Sequence, residues 1–231
     1  MIWPPEPIDP VVRVAFQGTR DQFRVPIPDS EEYVTFESDW SLEGMLALRE
    51  PLESLPELRH LQFSKMALPR HGLACIENLA QIDTLVLDQT QITSADIVHL
   101  KSLTNLRWLS LRRTRIDDDC LVHLKDLDKL ETLHLGSTRI GDEGLKYLIE
   151  LESLAFLSID NTRVSDQGMQ LIATFPALTT LHVPDSELTD KGLRNLESAK
   201  NLRALTIGSD HISLEAAHKL GENLPECKLR I

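Results

Sequence analysis

A hydrophobic period of 24 residues runs without interruption from Leu58 to Ile231. The first apolar anchor of each period falls at Leu58, Ile82, Leu106, Leu130, Leu154, Leu178 and Leu202. Three residues on stand Leu61, Leu85, Leu109, Leu133, Leu157, Leu181, Leu205 and Leu229, and two further on Phe63, Leu87, Leu111, Leu135, Ile159, Val183, Ile207 and Ile231. A fixed period of this length with no insertion predicts a solenoid, because so short a unit can bury its apolar face only against its neighbours.

Each unit reads as two elements. In Leu130-Glu-Thr-Leu133-His-Leu135, leucines alternating with polar residues predict a short strand with one buried face. Gly144-Leu145 and Leu148 follow, and the three-residue step between those leucines predicts a helix. Asp118, Asp142, Asp166 and Asp190 fall where that helix would begin, where a carboxylate meets exposed N–H groups and the positive end of the helix dipole. Just ahead of the helix, Thr93, Asp117, Ser165, Thr189 and Ser213 are N-cap candidates. Thr90, Thr114, Thr138 and Thr162 recur at the corner between strand and helix, where a hydroxyl can bond local backbone.

With these columns aligned, the units read L-x-x-L-x-L-x-x-T-x-I-x-D-x-G-L-x-x-L, as in Leu130 to Leu148, and the chain resembles the leucine-rich-repeat family. It looks most similar to the bacterial and F-box-associated, cysteine-containing type, many of which carry Cys or Asn where this chain has Thr. The resemblance implies an α/β solenoid: a curved right-handed β-α superhelix with a parallel concave sheet and short convex helices. It also implies that the protein works by binding other macromolecules. Met66 and Asp210 depart from the Thr column, and Asp96, Cys120 and Ala216 from the Gly column.

Residues 58–231 are therefore expected to form seven repeats and a terminal half-repeat strand, in which Lys228 and Arg230 point outward and discourage edge pairing. Residues 1–57 follow other rules. Runs 11–16, 23–27 and 33–36 are β-prone, and residues 41–49 read as a helix carrying Leu42, Met45, Leu46 and Leu48. This region is expected to be a β-rich N-terminal cap with a degenerate first repeat, since a solenoid cannot leave its first core layer open to water. A separate small binding module is the alternative.

The net charge of −12 argues against nucleic acid or an anionic membrane as the main partner and favours a protein partner, basic by charge complementarity. No apolar stretch approaches the roughly 20 residues a membrane span needs, and the N-terminus lacks the pattern of a secretory signal. Cys75, Cys120 and Cys227 form an odd, scattered set that fits free thiols in a reducing cytoplasm. A cytoplasmic, largely monomeric protein is the expectation.

Function must come from positions the repeat leaves free. On the concave face Trp108 and Phe156 flank Thr132 in one row, and His134 and His182 flank Ser158 in the next, with Arg112, Arg113 and Asp160 beside them. Solvent-facing strand positions do not need Trp or Phe for folding, and exposed aromatics with Arg are the composition of binding hot spots. Cross-strand packing is the competing explanation. The histidines raise two metal alternatives. His134 and His182 are separated by a whole strand, about 10 Å, with no clear third ligand. Cys75, His99 and His123 form a column on the helices that helical phase directs away from the leucines. No Gly-rich phosphate loop and no nucleophile–base order stands out, so no catalytic residue, metal or cofactor is expected. A non-catalytic protein-binding module is the leading reading. A metal-binding or hydrolytic module using surface histidines, or a structural subunit of a larger assembly, are the alternatives.

Overall fold

The structure, a computed structural model, describes the backbone of residues 33–36 and the whole of residues 41–184, 186–208 and 211–230. The β-prone runs at 11–16 and 23–27 lie outside the described residues. Among the described residues nine strands form one sheet in sequential order: β1 (Tyr33–Phe36), β2 (His60–Phe63), β3 (Thr84–Val86), β4 (Trp108–Ser110), β5 (Thr132–His134), β6 (Phe156–Ser158), β7 (Thr180–Val183), β8 (Ala204–Ile207) and β9 (Lys228–Arg230). Every pairing is parallel, and the strand leucines stand opposite one another from Leu61 through Leu133 to Leu229. The leucines of β3 to β8 are fully buried. Their column forms the sheet's contribution to one continuous core.

The helical side is tighter than an α-helix. Segments Gly72–Ile76, Ser94–Leu100 and Asp118–His123 are 3-10 helices, and Asp142–Leu145 is a single α turn. The apolar spacing accounts for this. Leu121, Leu124, Leu127 and Leu130 are all buried at three-residue steps, and each of the last three donates its N–H to the carbonyl of the one before, at 3.0, 3.0 and 2.8 Å. Three residues per turn is the 3-10 repeat, so one backbone pattern carries buried leucines from helix to strand. Longer α-helices, Asp166–Ile172, Asp190–Asn195 and Leu214–Asn223, occur in the later units.

The threonine column closes the corner as expected: Thr90, Thr114, Thr138 and Thr162 donate to the carbonyls of Leu87, Leu111, Leu135 and Ile159 at 2.6–2.8 Å. The aspartate column does something else. Its carboxylates reach the start of the next unit's helix rather than their own. Asp142 accepts from Ser165 N (2.9 Å) and Oγ (2.6 Å), Asp166 from Thr189 N (2.9 Å) and Oγ1 (2.6 Å), and Asp190 from Ser213 N and Oγ (both 2.8 Å). Asp118 accepts from Gly141 N at 2.6 Å. The N-cap residue is thereby fixed by its neighbour, and one end of every such unit is stitched to the next.

This stitching places a carboxylate close beside Gly144 and Gly168. A Cβ on Gly144 would stand 2.5 Å from Asp118 Oδ1, and one on Gly168 2.3 Å from Asp142 Oδ1. Where the column carries Cys120 instead, the preceding unit has the shorter Ser94 at the aspartate position. At Cys120 the change coincides with a shorter neighbour, whereas Ala216 follows a unit that keeps Asp190 bonded to Ser213.

One helical column differs from the sequence expectation. Cys75 is fully buried, and burial pushes its thiol pKa up to about 12. The segment that carries it is a 3-10 turn packed against the helix Leu42–Ala47, so α-helical phase does not apply. His99 keeps only 11% of its side chain exposed and hydrogen-bonds through Nδ1 to Glu77, while His123 is half-buried. The three do not form an outward-facing set.

Gly144→Ala is expected to destabilise the protein by about 1–2 kcal/mol, against the stabilisation of up to roughly 1 kcal/mol usual for Gly→Ala inside a helix. In an Asp118→Ala background the penalty should shrink. Urea unfolding of the four proteins in this cycle checks it, and strictly additive effects would contradict the proposed packing of carboxylate against glycine.

Candidate functional site

The outward side chains of β4, β5 and β6 meet at the centre of the sheet's open face. Strand register sets Trp108, Thr132 and Phe156 in one row and Ser110, His134, Ser158 and His182 in the next. Trp108 and Phe156 do not stand alone in their row. Both lean diagonally onto the strand between them, and the His134 ring lies between theirs, with centroids 5.0 Å from Trp108 and 4.8 Å from Phe156. Diagonal neighbours across parallel strands are within reach of rings this large.

His134 is consequently buried, with 8% of its surface exposed, although its strand position faces outward. Neither ring nitrogen has a hydrogen-bond partner among the described residues. Burial pushes its pKa down to about 4; the Arg112 guanidinium and His182 add to the depression, and Asp160 opposes it. The imidazole is neutral at pH 7 and belongs to the floor of the site.

Arg112 and Asp160 lie beside it. Arg112 Nη2 donates to Asp160 Oδ2 at 3.2 Å, reaching across the intervening unit. Gly136 is that unit's residue at the crossing, and a Cβ there would stand 2.1 Å from Asp160 Oδ1. Ser158 Oγ donates to the same Oδ1 at 2.6 Å, which leaves Asp160 buried and bonded on both oxygens. A second carboxylate, Asp88, accepts from Ser110 Oγ (2.5 Å) and from Arg112 N (3.1 Å). Burial raises the Asp88 pKa, against the pull of those bonds.

Of the residues singled out in the sequence, Trp108, Phe156, Arg112, His134 and Asp160 are brought together. His182 is half-buried one strand beyond, and Arg113 is exposed at the rim. Asp185 and Ser209 lie outside the described residues. Gly136, Ser110, Ser158 and Asp88 complete the cluster. The signal for Gly136 was its place between Arg112 and Asp160 in the same repeat column.

Among the described residues no group of three His, Cys, Asp or Glu side chains could hold a metal ion. Cys75 and Cys120 are poor nucleophiles, since burial drives both thiol pKa values to about 12. No described helix is long and apolar enough to cross a membrane.

A parallel sheet whose strands follow one another in sequential order, each backed by one helical turn, defines a repeat solenoid. A family model described as Leucine Rich repeat matches residues 129–148. Among solved structures, internalin C2 from Listeria monocytogenes is 26% identical with a TM-score of 0.59, over 78% of this chain and 74% of that one. A leucine-rich-repeat protein from Leptospira interrogans is 24% identical with a TM-score of 0.57; the match covers 79% of this chain and 51%, about half, of that one. No curated protein matches the sequence. The fold is that of a leucine-rich-repeat solenoid, and residues 129–148 match the repeat itself. That fold generally mediates protein–protein interaction, and proteins of the class are typically non-catalytic.

His134 makes stability pH-dependent in a defined window. Its pKa is about 4 when folded and near 6.5 when exposed, so the unfolded chain binds the extra proton. The contribution is complete above pH 6.5 and is lost as pH falls toward 4, by up to about 3 kcal/mol. His134→Leu is expected to flatten the thermal transition against pH within that interval. An unchanged slope would place the ring in water.

Proposed function

We propose that the protein binds a protein partner through the concave face, with Trp108 and Phe156 as apolar anchors. The observation that carries this reading is their half-exposure over His134 on a strand surface that needs no aromatic for its core. Ordered rings pinned by their neighbours give contact area at little entropic cost on binding. His134 acts beneath them as a spacer. Arg112 and Asp160 hold each other and present a fixed polar edge, with Arg113 and His182 flanking. No residue here is assigned a catalytic or metal-binding role.

The net charge of −12 would steer a basic partner from a distance. It is also part of the case for a monomer, since copies of like net charge repel. The three free thiols, Cys75, Cys120 and Cys227, support a cytoplasmic location. Residues 1–57 are read as a cap that ends in a degenerate repeat, with seven repeats from residue 58 onward; the parallel pairing of β1 with β2 supports this division.

An affinity capture from native lysate tests the reading, comparing wild type with Trp108→Ala/Phe156→Ala. A second variant, Thr132→Arg, places bulk between the anchors without opening the stack over His134. A partner retained by wild type and lost by both variants, each with an intact thermal transition, is the expected result. Equal recovery by all three would remove the concave face as the site.

A further inference from the structure

Strand alternation turns His134 toward solvent, yet the structure buries it. Its register neighbours on either side are Ser110 and Ser158. Both hydroxyls are directed at carboxylates: Ser110 Oγ donates to Asp88, and Ser158 Oγ to Asp160. Both ring nitrogens of His134 are thus left without a partner among the described residues. Trp108 and Phe156 close over the ring from the neighbouring repeats, tilted 39° and 43° to it. Each keeps part of its surface in water, which gives it room to move outward.

A neutral imidazole tolerates this place and a charged one does not. Protonation makes both ring nitrogens donors. The stack supplies an acceptor for neither, and an unpartnered buried cation costs far more than a buried neutral ring. The faces of the two flanking rings attract a cation, but that attraction leaves both N–H groups unpaired.

The charged groups around the ring do not make up the loss. Arg112, arriving from the end of β4, and His182 on β7 disfavour a cation here. Asp160, just past β6, favours it but already accepts from Arg112 and Ser158. Asp88, just past β3, has its own pKa raised by burial, so acid removes charge from that carboxylate while adding it to the imidazole. Both changes on acidification leave the surroundings of Arg112 more cationic.

We propose that His134 is an acid-sensitive latch: on protonation its ring turns out of the stack toward water, and Trp108 and Phe156 part while the solenoid stays folded. Its bearing on binding rests on the concave-face reading, whereas the opening is measured without a partner, so either can fail without the other. The scaffold is built to outlast the change. The strand leucines carry no titrating group, and bonds from Ser213 N and Oγ hold the Asp190 carboxyl below its ordinary range. A proton bound near pH 4 in the closed state and near 6.5 in the open one shifts the open-to-closed ratio by up to about 300-fold across that interval.

Trp108 reports the opening. In the full chain carrying Trp3→Phe and Trp40→Phe it is the sole tryptophan. Between pH 6.5 and pH 4 its emission is expected to shift to the red and its quenching by acrylamide to rise, while far-ultraviolet circular dichroism holds. Adding His134→Phe, which keeps a ring in the stack and takes no proton, should abolish the response. If the two background substitutions lower the thermal transition at neutral pH, fluorotryptophan NMR of the otherwise unaltered chain reads the same change, its signal identified by loss in Trp108→Phe. Three results would overturn the latch: a flat response in the parent, an equal response with His134→Phe, or loss of circular dichroism in step with the red shift. Emission that dims with no red shift and no added acrylamide access would overturn it too, since the imidazolium would then remain between the rings.

Discussion

Each repeat in this solenoid completes the backbone of its neighbour, and the rest of the structure depends on that exchange. On one side the strand leucines pair in register from unit to unit. On the other, Asp142 and Asp166 satisfy the N–H and hydroxyl of the next N-cap, Ser165 and Thr189. A unit with no core of its own cannot fold alone, so stability is carried by these interfaces. Two stitched edges also leave little freedom for one unit to slide or tilt against the next. That fixed pitch is what allows Arg112 to reach Asp160 two units away across Gly136.

The same rigidity lets the centre of the open face hold a costly arrangement. A histidine with both ring nitrogens unpartnered among the described residues loses solvation that no hydrogen bond returns. Trp108 and Phe156 offset part of this by ring contact and by covering the imidazole while it stays neutral. Leucine or threonine at position 134 would fit the strand as well, and Thr206 stands in that same column. A stack of three rings from three repeats is a departure from the plain repeat, and such departures are where a scaffold carries its specificity.

What could be read from the sequence was whatever repeats locally. Strand register, the threonine corners and the N-caps each depend on residues within one unit, and the period displays them several times over. The reach of Asp142 to Ser165 was not legible, because a carboxylate at a helix start has a good partner in its own helix as well. The 3-10 geometry was present in the three-residue steps from Leu121 to Leu130, but a pair such as Leu145 and Leu148 fits an α-helix equally well. The same ambiguity misplaced Cys75. Burial of His134 depends on which way two rings lean from separate repeats, and alternation along a strand carries no information about that. Arg112 and Asp160 were recognised as neighbours of the face, while their pairing required knowing that Gly136 leaves the crossing open.

Net charge was the least transferable of the sequence observations. Exposed acids and bases are interspersed: Asp119 and Glu143 follow Arg115 and Arg139 by four residues, and Lys101, Lys125 and Lys146 stand on the helical side with Glu150 and Glu152. Fields beyond a Debye length are screened, about 8 Å at physiological salt. A partner in contact therefore meets the charges of the flank it touches, not the sum over the chain.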